Sequence, residues 1–148
     1  MAPVLSLELS QGHGTVLLVA AATVVLNFWM SAGVMSARKK YNVQYPLLYA
    51  SESHKNAKEF NCVQRAHQNS LEVLPLFLVF LLTSGVPYPW TSTVLGVIFL
   101  LGRIGYFLGY STGRPEARYN GGFWMIGFLG LVVTTIVVAL RALGLIQG

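Results

Sequence analysis

The chain has 148 residues, of which 54% are hydrophobic and 10% charged; 10 Lys and Arg against 5 Asp and Glu give a net charge of +5. Soluble domains carry about 25% charged residues, so this composition excludes an ordinary soluble globule and points to a membrane protein. In that setting the positive balance reads as loop charge rather than as a nucleic-acid surface, and a single cysteine, Cys62, excludes an internal disulfide or a Cys-based metal site.

Residues 14–36 (GTVLLVAAATVVLNFWMSAGVMS) form the first predicted span. The run exceeds the roughly 7 to 15 apolar residues of a removable signal and has no basic stretch before it, so it is expected to stay as a helix. Residues 60–83 form the second. Their apolar half, 71–82, rises only about 18 Å at about 1.5 Å per residue and cannot cross a hydrocarbon core of about 30 Å. The polar half, FNCVQRAHQNSLE, must enter the membrane as well, carrying Arg65, His67, Asn69 and Glu72. Pro75 is tolerated there where neighbours satisfy the Leu71 carbonyl it leaves free.

Residues 91–110 and 123–145 complete the set, each near the roughly 20 residues that a span needs. Gly and Pro punctuation, at Pro46, at GVPYP (85–89) and at GRP (113–115), falls in the connections. No repeat or linker divides the chain. The expectation is one all-α integral membrane domain over residues 1–148, a four-transmembrane-helix bundle.

Loop charge orients the bundle. The first connection holds Arg38, Lys39, Lys40, Lys55 and Lys58, the third holds Arg114 and Arg118, and the second, residues 84–90, holds no charge. The positive-inside rule then puts the first and third connections in the cytosol and both termini, with only Glu8 before the first helix and Arg141 near the end of the last, on the opposite side.

At about 100° per residue, Asn61, Arg65, Gln68, Asn69 and Glu72 share a sector about 100° wide, whereas His67 points elsewhere. A charged residue at mid-helix costs about 2.5 to 3.5 kcal/mol on insertion scales, so such a stripe needs partners. Ionisable residues within a membrane mark functional sites by default; the structural alternative is that they glue helices together. The stripe points to an anionic or zwitterionic ligand, whose carboxylate and ammonium would use Arg65 and Glu72. Two turns separate these two residues, so they are expected to pair only through an intermediary. On the third helix Arg103, Tyr106 and Tyr110 share one face, with Arg114 and Arg118 just beyond. Tyrosines near a membrane boundary also serve as headgroup anchors.

Three stretches in order, ARKKYNVQYPLLYA, FNCVQRAHQNSLEVLPLFL and GRIGYFLGYSTGRPEAR, resemble the family of membrane-associated proteins in eicosanoid and glutathione metabolism (MAPEG), most of all its type-three microsomal glutathione transferases. The likeness covers all four helices. It implies a homotrimer with glutathione held in a bent form between subunits near the cytosolic face. It further implies that Arg65, Asn69 and Glu72 hold the γ-glutamyl end, that Arg38 and His67 lie near the glycyl carboxylate, and that Tyr106 and Tyr110 line the site. His67 also suits a packing role at a subunit boundary. The implied activity is conjugation of the glutathione thiolate to lipophilic electrophiles, with lipid hydroperoxides or a leukotriene-C-synthase-like reaction as further substrates, glutathione as co-substrate and no metal.

Two departures from the family pattern matter. Some relatives carry Tyr directly after the motif glutamate, where this chain has Val73. The thiol-activating arginine of relatives follows the second tyrosine by seven residues, but position 117 is Ala and Arg118 comes one later. Arg118 is thus the expected catalytic residue and Arg114 its rival. The C-terminal LGLIQG carries no retrieval signal, so an endoplasmic reticulum location is implied by the resemblance alone. Two other classes compete: a non-catalytic lipid-binding adaptor of the same fold, which the retained Arg65, Asn69, Glu72 and loop arginine argue against, and a small transporter, whose expected repeat is missing.

Overall fold

The computed structural model describes residues 9–146, which contain helices and no strand. In chain order these are α1 (Gln11–Tyr41), α2 (Ala57–Gly85), α3 (Pro89–Tyr110), a short 3-10 helix (Pro115–Gly121) and α4 (Trp124–Ala142). The four α-helices are each long and apolar enough to cross a membrane. This is the all-α four-span bundle that hydropathy predicts. Glu8, counted above for orientation, and the last two residues of LGLIQG lie outside the described residues.

Capping explains where the helices outrun or fall short of their apolar stretches. At the start of α1 the Ser10 N–H donates to His13 Nδ1 at 3.1 Å, and His13 Nε2 sits 3.0 Å from the Val86 carbonyl in the α2–α3 turn. At its other end Asn42 adopts the left-handed conformation, φ 55°, and its N–H returns to the Arg38 carbonyl. Arg38, Lys39 and Lys40 therefore belong to the last turn of α1 rather than to a loop, where cations oppose the negative end of the helix dipole. At α4 the apolar run continues past the helix, but Gly144 at φ 70° turns the chain away after Ala142.

Two apolar clusters hold the helices together. One, around Met30, Val34, Phe60, Ala66 and Phe107, sits at the end of the bundle that carries the 3-10 helix. The other, around Val16, Phe77, Leu81, Phe99 and Leu131, fills the opposite half, with Phe77 and Phe99 stacked at 3.8 Å. Outside them Leu18, Val25 and Phe28 are more than 70% exposed, which in water would be a liability and in a bilayer is a lipid-facing surface.

Glycines on one side of α3 let the third connection lie against that helix. A Cβ at Gly102 would come within 2.6 Å of the Trp124 Cα, one at Gly105 within 3.2 Å of the Gly121 Cα, and one at Gly109 within 2.9 Å of the Ala117 carbonyl carbon. Small residues at this spacing allow backbone to approach backbone, a packing mode common in membranes. The consequence is positional: the 3-10 helix is held along α3, beside the face that carries Arg103, Tyr106 and Tyr110.

Candidate functional site

The polar stripe of α2 divides into a structural part and an open part. Asn61 is spent on the first connection, accepting from the Ala50 N–H at 2.8 Å and donating to its carbonyl at 3.0 Å. Gln68 accepts from the Tyr49 hydroxyl. These two residues stitch the α1–α2 connection onto α2. Arg65, Asn69 and Glu72 remain.

Arg65 and Glu72 do pair directly, contrary to the expectation of an intermediary: Arg65 Nη1 donates to Glu72 Oε1 at 2.6 Å. Two turns of helix separate their backbones by about 10.5 Å. The long arginine side chain running along the helix and the glutamate reaching toward it close that gap together. Asn69 sits between them and donates from Nδ2 to Glu72 Oε2 at 3.4 Å. The side chains of the ion pair are 42% and 45% exposed, so the pair faces outward on its helix and is open to a ligand or to a neighbouring chain.

Beneath this outward group lies Arg103 of α3, which is 1% exposed. Its Nη1 and Nη2 donate to Asn69 Oδ1 at 3.2 and 3.1 Å, and Nη2 donates to Ser70 Oγ at 2.5 Å. The Tyr106 and Trp124 rings cover the guanidinium at 4.5 and 5.0 Å. Its Nε is buried without a hydrogen-bond partner among the described residues, so the aromatic faces carry part of the stabilisation a donor partner would supply.

From Tyr106 the network runs outward along α3. Tyr106 meets Tyr110 edge to face at 5.7 Å, and the Arg118 guanidinium lies 5.8 Å from the centre of the Tyr110 ring. Arg118 Nη2 also donates to the Tyr119 hydroxyl at 3.0 Å. That bond, with the nearby Tyr110 hydroxyl, raises the Arg118 pKa above its already high ordinary value, so the group is a permanent cation. Arg114 is exposed and precedes Pro115 with φ −108° and ψ 108°, the extended shape proline imposes on its predecessor. The expected site residues Arg65, Asn69, Glu72, Tyr106, Tyr110 and Arg118 thus form one connected set.

Arg38 and His67 stand apart from it. Arg38 is buried, donates to the Leu47 carbonyl at 2.8 Å and is sandwiched between the Tyr45 and Phe60 rings at 4.5 and 5.0 Å. It borders a pocket of about 240 Å³ with Met35 and Lys39. His67 lines a different pocket, of about 400 Å³ between α1 and α2, with Asn27, Ser31 and Leu71. The Asn27 Oδ1 is buried with no partner in the described chain. Among the described residues neither makes a hydrogen bond or ion pair with Arg65, Asn69 or Glu72.

A long chain of arginines, an amide, a carboxylate and phenols on a membrane bundle narrows the possibilities, and comparison with known proteins narrows them further. Residues 16–140 match the MAPEG family. The chain belongs to the MAPEG family. Among its relatives is the protein named microsomal glutathione S-transferase 2 of Homo sapiens, 32% identical over 123 residues that take in 80% of this chain and 79% of that one. Proteins named leukotriene C4 synthase, from Rattus norvegicus and Cavia porcellus, are 32% and 35% identical over 128 residues, covering 80% of this chain and 81% of each.

In this MAPEG chain two residues of the network escape a reading by pattern alone. Arg103 is visible in the sequence as a mid-helix cation, but its burial under Trp124 depends on where the third connection folds. Ser70 sits in the motif RAHQNS without any feature that sets it apart from a helix-packing serine. Only the approach of α3 to α2 makes it the acceptor for Arg103.

Proposed function

We propose that this MAPEG protein is a membrane glutathione transferase that joins the glutathione thiolate to lipophilic electrophiles, most akin to the type-three enzymes. The observation that carries this reading is the connected set Arg65–Glu72–Asn69 and Tyr106–Tyr110–Arg118. One end offers a cation, an amide donor and a carboxylate, which suit the α-carboxylate and α-ammonium of a γ-glutamyl group. The other end offers a permanent cation beside a phenol, which suits a thiolate.

The chemistry requires that second cation. A free thiol has a pKa near 8.5 and is mostly protonated at neutral pH, so a transferase has to stabilise the anion. A guanidinium near the sulfur does so without exchanging a proton. The thiolate then attacks the electrophilic carbon and the leaving group or ring oxygen takes up a proton. With a lipid hydroperoxide, the same thiolate attacks the peroxide and a second glutathione completes reduction to the alcohol, water and glutathione disulfide.

The half-exposed Arg65–Glu72 pair and the separate pockets that Arg38 and His67 border support a homotrimer in which each site is completed by a neighbour's Arg38 and His67. The basic α1–α2 and α3–α4 connections support a site at the cytosolic face with both termini lumenal, in the endoplasmic reticulum as the family resemblance implies. An apolar groove of about 350 Å³ between α1 and α3, lined by Val25, Leu26, Trp29 and Leu100, favours a second reading as a lipid-binding adaptor.

One experiment separates the two readings. The purified protein in detergent is titrated with glutathione and assayed with a panel of electrophiles and a lipid hydroperoxide. Saturable glutathione binding with turnover is the expected result. Lipid binding with no glutathione binding and no turnover would make it an adaptor.

A further inference from the structure

We infer that Arg103 is a positioning residue that locks the side-chain amide of Asn69 in one orientation and thereby makes the site demand an α-carboxylate on its ligand. The inference rests on reading the Arg65–Asn69–Glu72 face as the glutathione site. Arg103 itself cannot touch a ligand, because it is 1% exposed and covered by Tyr106 and Trp124.

A guanidinium has donors only, so the Asn69 atom that receives both of its Nη groups, at 3.1 and 3.2 Å, has to be the oxygen. The two orientations of an asparagine amide are nearly the same shape, and only hydrogen bonding chooses between them. Reversing this one would set an NH2 group against two N–H donors of a cation. Nδ2 is therefore held on the outer side, next to Glu72.

The Arg103 end of the lock is itself fixed. Ser70 Oγ accepts from Nη2 at 2.5 Å while its own hydrogen goes to the Ala66 carbonyl at 3.0 Å, so Ser70 faces Arg103 as an acceptor. The two aromatic faces hold the guanidinium plane. Among the described residues no carboxylate pairs with Arg103, so a neutral amide oxygen and a hydroxyl are what it has, and neither is free to turn away without stranding a buried charge.

The consequence reaches the open face. With Nδ2 outward, the surface at Asn69 is a donor flanked by the Arg65 guanidinium, which matches a carboxylate; the adjacent Glu72 matches an ammonium. With the amide reversed, an oxygen would stand where the carboxylate binds and repel it. Arg103 thus chooses the sign of the group accepted at Asn69 from a position the ligand never reaches.

The test uses the full-length protein in detergent and three thiol tripeptides: glutathione, its analogue without the α-carboxylate (4-aminobutanoyl-cysteinylglycine) and its analogue without the α-ammonium (glutaryl-cysteinylglycine). The parent should bind glutathione about tenfold or more tightly than either analogue, the scale of a hydrogen bond to a charged group. In Arg103→Met the preference over the carboxylate-free analogue should shrink to about threefold or less, while the preference over the ammonium-free analogue, set by Glu72, persists. Asn69→Asp should lose the same preference with its fold kept by a new ion pair to Arg103, and it decides the matter if Arg103→Met does not fold. A uniform weakening for all three tripeptides in Arg103→Met, or an undiminished preference in Asn69→Asp, would overturn the inference. Selective asparagine-¹⁵N spectra of the ligand-free protein read the lock without glutathione. The Asn69 amide pair, assigned through Asn69→Asp, should show restricted exchange that Arg103→Met abolishes, and an unchanged pair would count against the lock. If the parent binds none of the tripeptides, the glutathione reading fails, and these spectra still decide whether Arg103 fixes the amide.

Discussion

The Arg118 guanidinium lies 5.8 Å from the centre of the Tyr110 ring, one residue beyond a buried alanine. Ala117 is 8% exposed and its carbonyl packs on Gly109, so the position where the family resemblance implies an arginine points into the helix contact here. The next residue of the 3-10 helix emerges on the tyrosine side of α3. A one-residue shift in the connection thus returns a cation to the same neighbourhood, whereas Arg114, four residues earlier, is exposed on the extended backbone before Pro115.

On this geometry Arg118→Ala should lower turnover by about one to three orders of magnitude with a smaller effect on glutathione affinity, the pattern of a contact made mainly to the reacting thiolate. Arg114→Ala should do much less. The sign of the pH dependence follows from the charge: removing a cation disfavours the thiolate, so the bound thiol should titrate at higher pH. Ultraviolet absorbance of the bound thiolate, followed across pH, measures this directly. An unchanged titration in Arg118→Ala with a raised one in Arg114→Ala would assign the role to Arg114.

For the Arg65–Glu72 pair, binding and stability should part company. On the proposed reading the pair faces a site open to cytosolic water rather than lipid, so with both side chains more than 40% exposed it contributes little to folding, and Arg65→Ala and Glu72→Ala should leave the melting temperature nearly unchanged. Glutathione affinity should nevertheless fall about tenfold or more in each, because bound ligand desolvates the surviving partner. Arg65→Lys should recover only part of it, since a point charge replaces a planar fork. Calorimetry on both alanine variants is the check, and parent-like affinity in both would make the stripe structural.

Much of this was legible in the sequence, and the reasons are physical. Span length requires the polar half of α2 to enter the membrane, and helical periodicity alone groups Arg65, Asn69 and Glu72 on one face. Periodicity could not tell that Asn61 and Gln68 are consumed by Ala50 and Tyr49, because those partners come from a connection without a repeating pattern. Nor could backbone spacing show that Arg65 reaches Glu72, which depends on side-chain length and rotamer. The 3-10 helix was unforeseen for a similar reason: its hold on α3 comes from glycines at 102, 105 and 109, which read in the sequence as ordinary membrane-helix glycines.

Assembly should show in the polar groups that one chain leaves without partners. Among the described residues Asn27 Oδ1 is buried without a hydrogen-bond partner, and the same pocket holds His67 and Ser31 at membrane depth, where lipid supplies no hydrogen bonds. In a monomer Asn27→Leu would remove an orphaned acceptor and be neutral or stabilising. In a trimer whose neighbour donates to that atom, the same change should weaken association. Native mass spectrometry of the active protein should give a homotrimer, with more monomer in Asn27→Leu. Full activity from a sample containing only monomers would sink the shared-site arrangement.

The close approach at Gly109 offers a way to move Arg118 without altering it. A Cβ there would collide with the Ala117 carbonyl, a backbone group that cannot rotate aside, so Gly109→Ala has to push the 3-10 helix off α3. Overpacking of this kind costs about 1 to 3 kcal/mol, enough to displace a short connection but not to unfold four packed helices. The Arg65–Asn69–Glu72 end of the site, on α2, lies outside the displaced segment. Gly109→Ala should therefore reduce turnover and raise the pH at which the bound thiol ionises, approaching the Arg118→Ala phenotype, while calorimetric glutathione affinity stays within about threefold of the parent. Adding Gly109→Ala to Arg118→Ala should then cost little further activity, since both act through the same guanidinium. Independent, multiplying losses in the double variant would mean that the connection contributes something other than Arg118.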